Sequence, residues 1–204
     1  MNKCVLVVVL AVTSNVAAAP TTSIYLGGGR PTDPRTTGEE TSLLAGAAVG
    51  FPLHHSWMPR IAVDLRRIVG PTVDVDIDDL RVARKPRALA VRALAGLRLR
   101  GERARLTWFG QLAAGVQWER ATSNRFFRPN ASSPYEPRGE KTFSSVGLVI
   151  EPAIGAALHF GRLEIGAQLA LAYSTEETVM PTSVNEDPTS PTNVLATAFA
   201  EHRW

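Results

Sequence analysis

The chain has 204 residues, the length of one domain or at most two small ones. A composition 45% hydrophobic and 20% charged excludes a disordered chain, a collagen and a coiled coil. Lys and Arg number 22 against 19 Asp and Glu, spread without a basic stripe, so no nucleic-acid partner is expected.

Residues 1–18 read as an export leader. Lys3 gives the positive end, Cys4 to Val12 the apolar stretch, and Val16-Ala17-Ala18 a small-residue cleavage site before Ala19. The apolar stretch is too short to cross a bilayer as a helix. Cys4 precedes the apolar run, which argues against lipoprotein processing. Cys4 is also the lone cysteine, so the expected mature domain, residues 19–204, has no disulfide framework and no thiolate pair for a metal.

The mature chain alternates with period two. Thr22 to Gly27 and Ser42 to Phe51 are weak examples. Arg60 to Arg66 sets Ile61, Val63 and Leu65 against Arg60, Ala62, Asp64 and Arg66. Ala90 to Arg100 sets Val91, Leu97 and Leu99 against Arg92, Leu94, Gly96, Arg98 and Arg100. Arg103 to Trp118 sets Leu106, Trp108, Leu112, Val116 and Trp118 against Arg105, Thr107, Phe109, Gln111 and Gln117. Ser145 to Phe160 sets Val146, Leu148, Ile150, Ile154 and Leu158 against Gly147, Glu151, Gly155 and His159. In Arg162 to Tyr173 (RLEIGAQLALAY) the separation is complete, and Val194 to Trp204 is again weak. A helix would place apolar residues at i, i+3 and i+4 and would mix these sets, whereas a strand points successive side chains to opposite faces. Eight strands are predicted.

The connectors alternate in length. Gly27 to Thr41, Arg67 to Arg87, Glu119 to Thr142 and Ser174 to Asn193 are long; Pro52 to Pro59 is medium; Gly101-Glu102 and the neighbourhood of Gly161 are tight turns. In an antiparallel up-and-down meander this puts every long loop at one end. One face of each strong strand is Leu, Ile, Val, Ala and aromatic, and the other is small or charged. A soluble sheet shows the inverse, with its apolar face packed inward. The predicted fold is therefore all-β, an eight-stranded antiparallel transmembrane barrel with long loops at one end and short turns at the other. In lipid every backbone donor and acceptor needs an internal partner, which only a closed barrel supplies to strands. The charges expected inside are Asp64, Glu151, Glu164 and Glu201 against Arg60, Arg66, Arg92, Arg98, Arg105 and Arg203. They are expected to pair as a ladder that plugs the lumen.

With the leader ending VAA, the strands LTWFGQLAAGVQW and RLEIGAQLALAY and the terminal aromatic Trp204, the sequence resembles the small outer-membrane β-barrel proteins of Gram-negative bacteria. The resemblance implies an outer-membrane location and contact with outer-membrane lipids and lipopolysaccharide. It also implies recognition of the C-terminal strand (Ala196, Ala198, Ala200, His202, Trp204) by the assembly machinery. A monomer is expected.

Three further motifs have the residue types of chemistry. Val73 to Leu80 (VDVDIDDL) puts Asp74, Asp76 and Asp78 on one strand face, but it lacks the Gly and Glu of a calcium loop and reads as a solvated strand extension. His54-His55-Ser56 resembles the His-x-Ser spacing of outer-membrane lipid A deacylases; it sits in a connector at the short-turn end with no carboxylate apparent nearby. Arg120, Arg125, Arg128, Arg138 and Lys141, interleaved with Phe126, Phe127 and Tyr135, suit contact with phosphates or sugars. Trp57, Trp108, Trp118 and Trp204 suit interfacial girdles. No catalytic, cofactor-binding or metal residue is assigned, and no cofactor is expected. The expected role is non-enzymatic, structural or surface-interacting. A lipid-acting barrel enzyme and a soluble exported barrel holding an apolar ligand are the alternatives.

Overall fold

The computed structural model describes residues 19–32, 41–53, 56–69, 73–77, 80–128, 136–175 and 192–204. They form β1 (Thr21–Pro31), β2 (Thr41–Gly50), β3 (Trp57–Val69), β4 (Val73–Ile77), β5 (Leu80–Arg103), β6 (Leu106–Arg128), β7 (Glu136–Phe160), β8 (Leu163–Ser174) and β9 (Thr192–Arg203). Every pairing is antiparallel. Because β3 pairs with β5 and β1 with β9, the eight strands other than β4 close on themselves. Short β4 lies outside this ring, against the start of β5. At the short-turn end the β1–β9 seam is fastened where the Trp204 amide donates to the Pro20 carbonyl at 3.3 Å, and beside it the Arg203 amide donates to the Arg162 carbonyl ahead of β8 at 2.9 Å. Closure leaves the ring of strands no edge, which is what lipid requires.

The alternation sorts side chains as the sequence predicts. Ile24 and Ile154 are 68% and 66% exposed, whereas Arg92 and Glu201 are 1% exposed. A soluble barrel would reverse both figures, so the apolar ring faces acyl chains and the charges face one another. Trp57, Trp108 and Trp204 stand outward toward the short-turn end, and Trp118 and Tyr173 toward the other. Amphipathic rings belong at these two water–lipid boundaries.

Three expectations need correction. The first hairpin turn is not Gly101-Glu102. The β5–β6 ladder continues through Gly101↔Trp108 and Glu102↔Thr107 to Arg103↔Leu106, and the turn is Ala104-Arg105 with φ 55° at Ala104. Gly101 serves packing instead, since a Cβ there would stand 2.2 Å from the Trp108 ring. Consequently Arg105, expected in the lumen, is exposed in the turn. The second tight turn is Gly161-Arg162, with φ 67° at Gly161, as the sequence indicates.

The third correction concerns the long connectors. Arg67 to Arg87 and Glu119 to Thr142 are mostly strand: β5, β6 and β7 run 24, 23 and 25 residues and rise past their neighbours as a ribbon. A bulge between Arg125 and Phe126 interrupts the β6–β7 register there. Above the membrane both faces of a strand meet water, so the apolar alternation that marks a strand has no cause. Residues 1–18, which carry the expected leader, lie outside the described residues, as do 129–135 and 176–191.

Candidate functional site

The interior is organised around Arg92. Its guanidinium grips Asp64 with two hydrogen bonds, Nε to Oδ1 at 2.7 Å and Nη2 to Oδ2 at 2.9 Å, and donates through Nη1 to Glu151 Oε2 at 2.8 Å. The Tyr25 hydroxyl donates to Asp64 Oδ2 at 3.1 Å. One cation thus joins carboxylates from β3 and β7. A paired charge is tolerable in low dielectric where an unpaired one is not.

A second layer lies closer to the short turns. Arg60 donates to the Ser23 hydroxyl and to Gln111 Oε1 at 3.1 Å, and Arg98 donates to the same Gln111 oxygen at 3.2 Å and to Glu201 Oε2 at 3.1 Å. Arg98 also lies 3.9 Å from the centre of the Phe109 ring, which meets Phe199 edge-on at 5.7 Å. Toward the long loops, Arg66 donates to Asn193 Oδ1 at 2.7 Å and Gln117 to Glu119 Oε2 at 2.9 Å. Between these groups is a cavity of about 10 Å³ bordered by Tyr25, Arg60, Arg92, Gln111 and Glu151. That is room for about one water molecule.

The short-turn mouth carries a denser cluster. Arg100 Nη2 lies 2.7 Å from Glu164 Oε1 and 2.9 Å from Glu102 Oε1. Arg203 Nη2 reaches the same two oxygens, at 2.8 Å for Glu102. His159 Nε2 stands 2.6 Å from Thr107 Oγ1, 3.2 Å from Glu164 Oε1 and 3.2 Å from Arg203 Nη2. The constellation ties β5, β6, β7, β8 and β9 together at their ends.

Two chemistries can be tested on this cluster. Glu102, His159 and Glu164 present ligand atoms within 4.8 Å of one another, a spacing a divalent cation could use. Yet the two guanidinium groups sit on the very oxygens a metal would take, so the donors are already spent on cations. Thr107, His159 and Glu164 have the residue types of a nucleophile, base and orienting acid. Hydroxyl and carboxylate, however, both approach Nε2, whereas a relay needs them on opposite ring nitrogens. The cluster is an ion-paired clasp.

Of the residues singled out from sequence, the structure brings Asp64, Glu151 and Arg92 together in one group, Arg98 and Glu201 in another, and Glu164, His159 and Arg203 in the clasp. Arg105 joins none of them. Gln111 is in the network, on the face predicted to point inward, and Tyr25, Glu102 and Glu119 belong to it without having been expected as lumenal partners. For Glu119 the signal was present, because it continues the inward parity of Thr107 to Gln117 by one more step. Asp74 and Asp76 lie on β4 opposite Ala83 and Arg81, while Asp78 is outside the described residues. His54 and His55 are outside them too, and Ser56 is in the turn before β3.

No protein-family model and no curated protein sequence matches the chain. Among solved structures, a major outer membrane protein from Thermus thermophilus is similar over 91% of this chain and 100% of that one, at 14% identity and a TM-score of 0.52. Ail, the attachment invasion locus protein of Yersinia pestis, is similar over 92% and 99%, at 10% identity and a TM-score of 0.49. Neisserial surface protein A is similar over 91% and 96%, at 10% identity and a TM-score of 0.46. At 14% identity the likeness to the Thermus protein speaks for the fold, and it agrees with the closed ring, the outward apolar band and the charged interior. The chain is an eight-stranded β-barrel of the small outer-membrane type.

Proposed function

We propose that this barrel is a non-enzymatic protein of the outer membrane whose lumen does not pass solutes and whose work is done at the long-loop end. There the ribbon and loops meet outer-membrane lipids, lipopolysaccharide included, or a surface partner. Export by the leader over residues 1–18 and delivery through recognition of the terminal strand, ending at Trp204, belong to the same reading, as does a monomeric state.

The observation that carries it is the Arg92–Asp64–Glu151 group at mid-barrel beside a cavity of about 10 Å³. A sugar needs far more room than one water. Opening a path would separate buried ion pairs, at a cost of several kcal/mol for each stranded charge. Liposome swelling tests this. Vesicles containing the purified protein are expected to swell in arabinose no faster than protein-free vesicles, and rapid swelling would overturn the closed lumen. Against an enzymatic role stands the clasp geometry, in which hydroxyl and carboxylate share one imidazole nitrogen.

A further inference from the structure

The outward surface changes character abruptly just above the apolar band. On β3, β5 and β6 the first outward positions past Leu65 and Trp118, and the second past Val91, are Arg67, Arg120 and Arg87, all exposed. The register sets them side by side. Arg67 and Arg120 both pair with Leu89, and Arg87 pairs with Val69 and Thr122. Arg67 and Arg120 therefore flank Leu89 about 10 Å apart, two strand spacings, with Arg87 roughly 7 Å further along β5. Side chains of arginine's length can reach one small group from those three positions.

The outward neighbours in the same rows on β2, β3, β5, β6 and β7 are Thr41, Leu43, Val69, Leu89, Thr122, Thr142 and Ser144, and none is acidic. Among the described residues no carboxylate pairs with any of the three arginines. In the lumen and the clasp the guanidinium groups of Arg60, Arg66, Arg92, Arg98, Arg100 and Arg203 all reach an oxygen acceptor. Like charges on adjacent strands repel, so a trio without a carboxylate favours an anion from outside. In the same rows β7 offers only Thr142 and Ser144, and the exposed Arg30 on β1 is separated from the trio by β2.

We propose that Arg67, Arg87 and Arg120 form a binding site for the phosphate of an outer-leaflet lipid headgroup. Arginine's planar fork matches phosphate oxygens two at a time. The height of the site selects a lipid over a soluble anion. Leu65, Val91 and Trp118 directly below are exposed to the membrane, so acyl chains lying along them carry their headgroup phosphate to the level of the arginines. Exposed Leu89, at the centre of the trio, gives the lipid an apolar contact between the cations.

The site rests on the outer-membrane reading above, and the test separates the two. Full-length protein folded in a neutral detergent is titrated with bisphosphorylated lipid A, and bound lipid is counted by native mass spectrometry. One lipid per barrel is expected, with the triple variant R67Q/R87Q/R120Q weakened at least about tenfold. The matched variant R103Q/R105Q/R162Q, which removes three exposed arginines from the other rim, is expected to bind as the parent does. Equal binding by parent and R67Q/R87Q/R120Q overturns the site, as does equal weakening by the control variant. Displacement of the lipid by millimolar inorganic phosphate would also overturn it, because the occupant would then be a free anion. Heat-modifiable migration on a denaturing gel reports the barrel itself. If it persists in the triple variant while lipid binding is unchanged, the site fails and the barrel stands; if the parent does not show it, the outer-membrane reading fails first.

Discussion

Strand β7 passes through two environments, and its two halves obey different rules. From Val146 to Phe160 the outward side chains Leu148, Ile150, Ile154 and Leu158 are apolar and exposed, while Glu151, Ala153 and Ala157 are buried opposite them. From Glu136 to Ser144 the sequence no longer alternates between apolar and polar, and outward Thr142 and Ser144 are polar and exposed. Backbone pairing continues regardless, as far as Phe127↔Glu136. Pairing answers to the hydrogen-bonding needs of N–H and C=O, which are the same everywhere, whereas alternation answers to a difference in medium between the two faces. The lower half is held by both and the ribbon by the first alone.

The sharpest break between the two regions is in the lumen. Replacing Arg92 with Leu leaves Asp64 and Glu151 facing each other across the interior without their shared cation. A loss of about 3–5 kcal/mol is expected, measured as the urea midpoint for loss of the folded band in lipid vesicles. Adding Asp64→Asn and Glu151→Gln to Arg92→Leu should recover most of it, because the stranded charges are then gone. If Arg92→Leu alone has no effect, the ion pairs do not hold the barrel.

The lipid face comes next. Ile154→Arg places a cation among acyl chains near mid-membrane, where a cost of about 2–4 kcal/mol is expected by the same measurement. Arg203→Gln, at the solvent-reached mouth of the clasp, should cost only about 0–1 kcal/mol, because a partly exposed pair is screened. Arg100 still holds both Glu102 and Glu164 in that variant. A loss as large as that of Arg92→Leu would mean that the clasp governs closure of the seam.

The same contrast explains what the sequence could say. In the band, two media write themselves into the chain, so Arg162 to Tyr173 was legible residue by residue and its strand is found where alternation puts it. In the ribbon the signal vanishes, and Arg67 to Arg87 and Glu119 to Thr142, with their prolines and arginines, read as loops. The first tight turn is misplaced for a different reason. Gly101 looks like a turn residue, but its missing side chain makes room for the Trp108 ring, and small size alone does not tell these uses apart. Interior partners are harder still. Parity says that Arg92, Asp64 and Glu151 point inward, but which of them touch depends on strand stagger, and stagger is set by register that one strand's letters do not carry. The neighbourhood of Arg67, Arg87 and Arg120 was hidden for the same reason, since it takes the pairing of three strands to place them side by side.

The smallest effect tests the boundary itself. Ser144 is outward on β7, ten residues from Ile154 and on the same face, so Ser144→Arg makes the charge that Ile154→Arg makes, only higher. Above the apolar band the new guanidinium stays hydrated, and the change is expected to stay within about 0.5 kcal/mol of the parent. Its partners in the row, Arg120 and beyond it Leu89, are already at the polar margin, so a slight repulsion from Arg120 is the main penalty. A cost near that of Ile154→Arg would place Ser144 inside the hydrocarbon and raise the membrane boundary by several residues. The three arginines would then lie among acyl chains, below the headgroups they are proposed to hold.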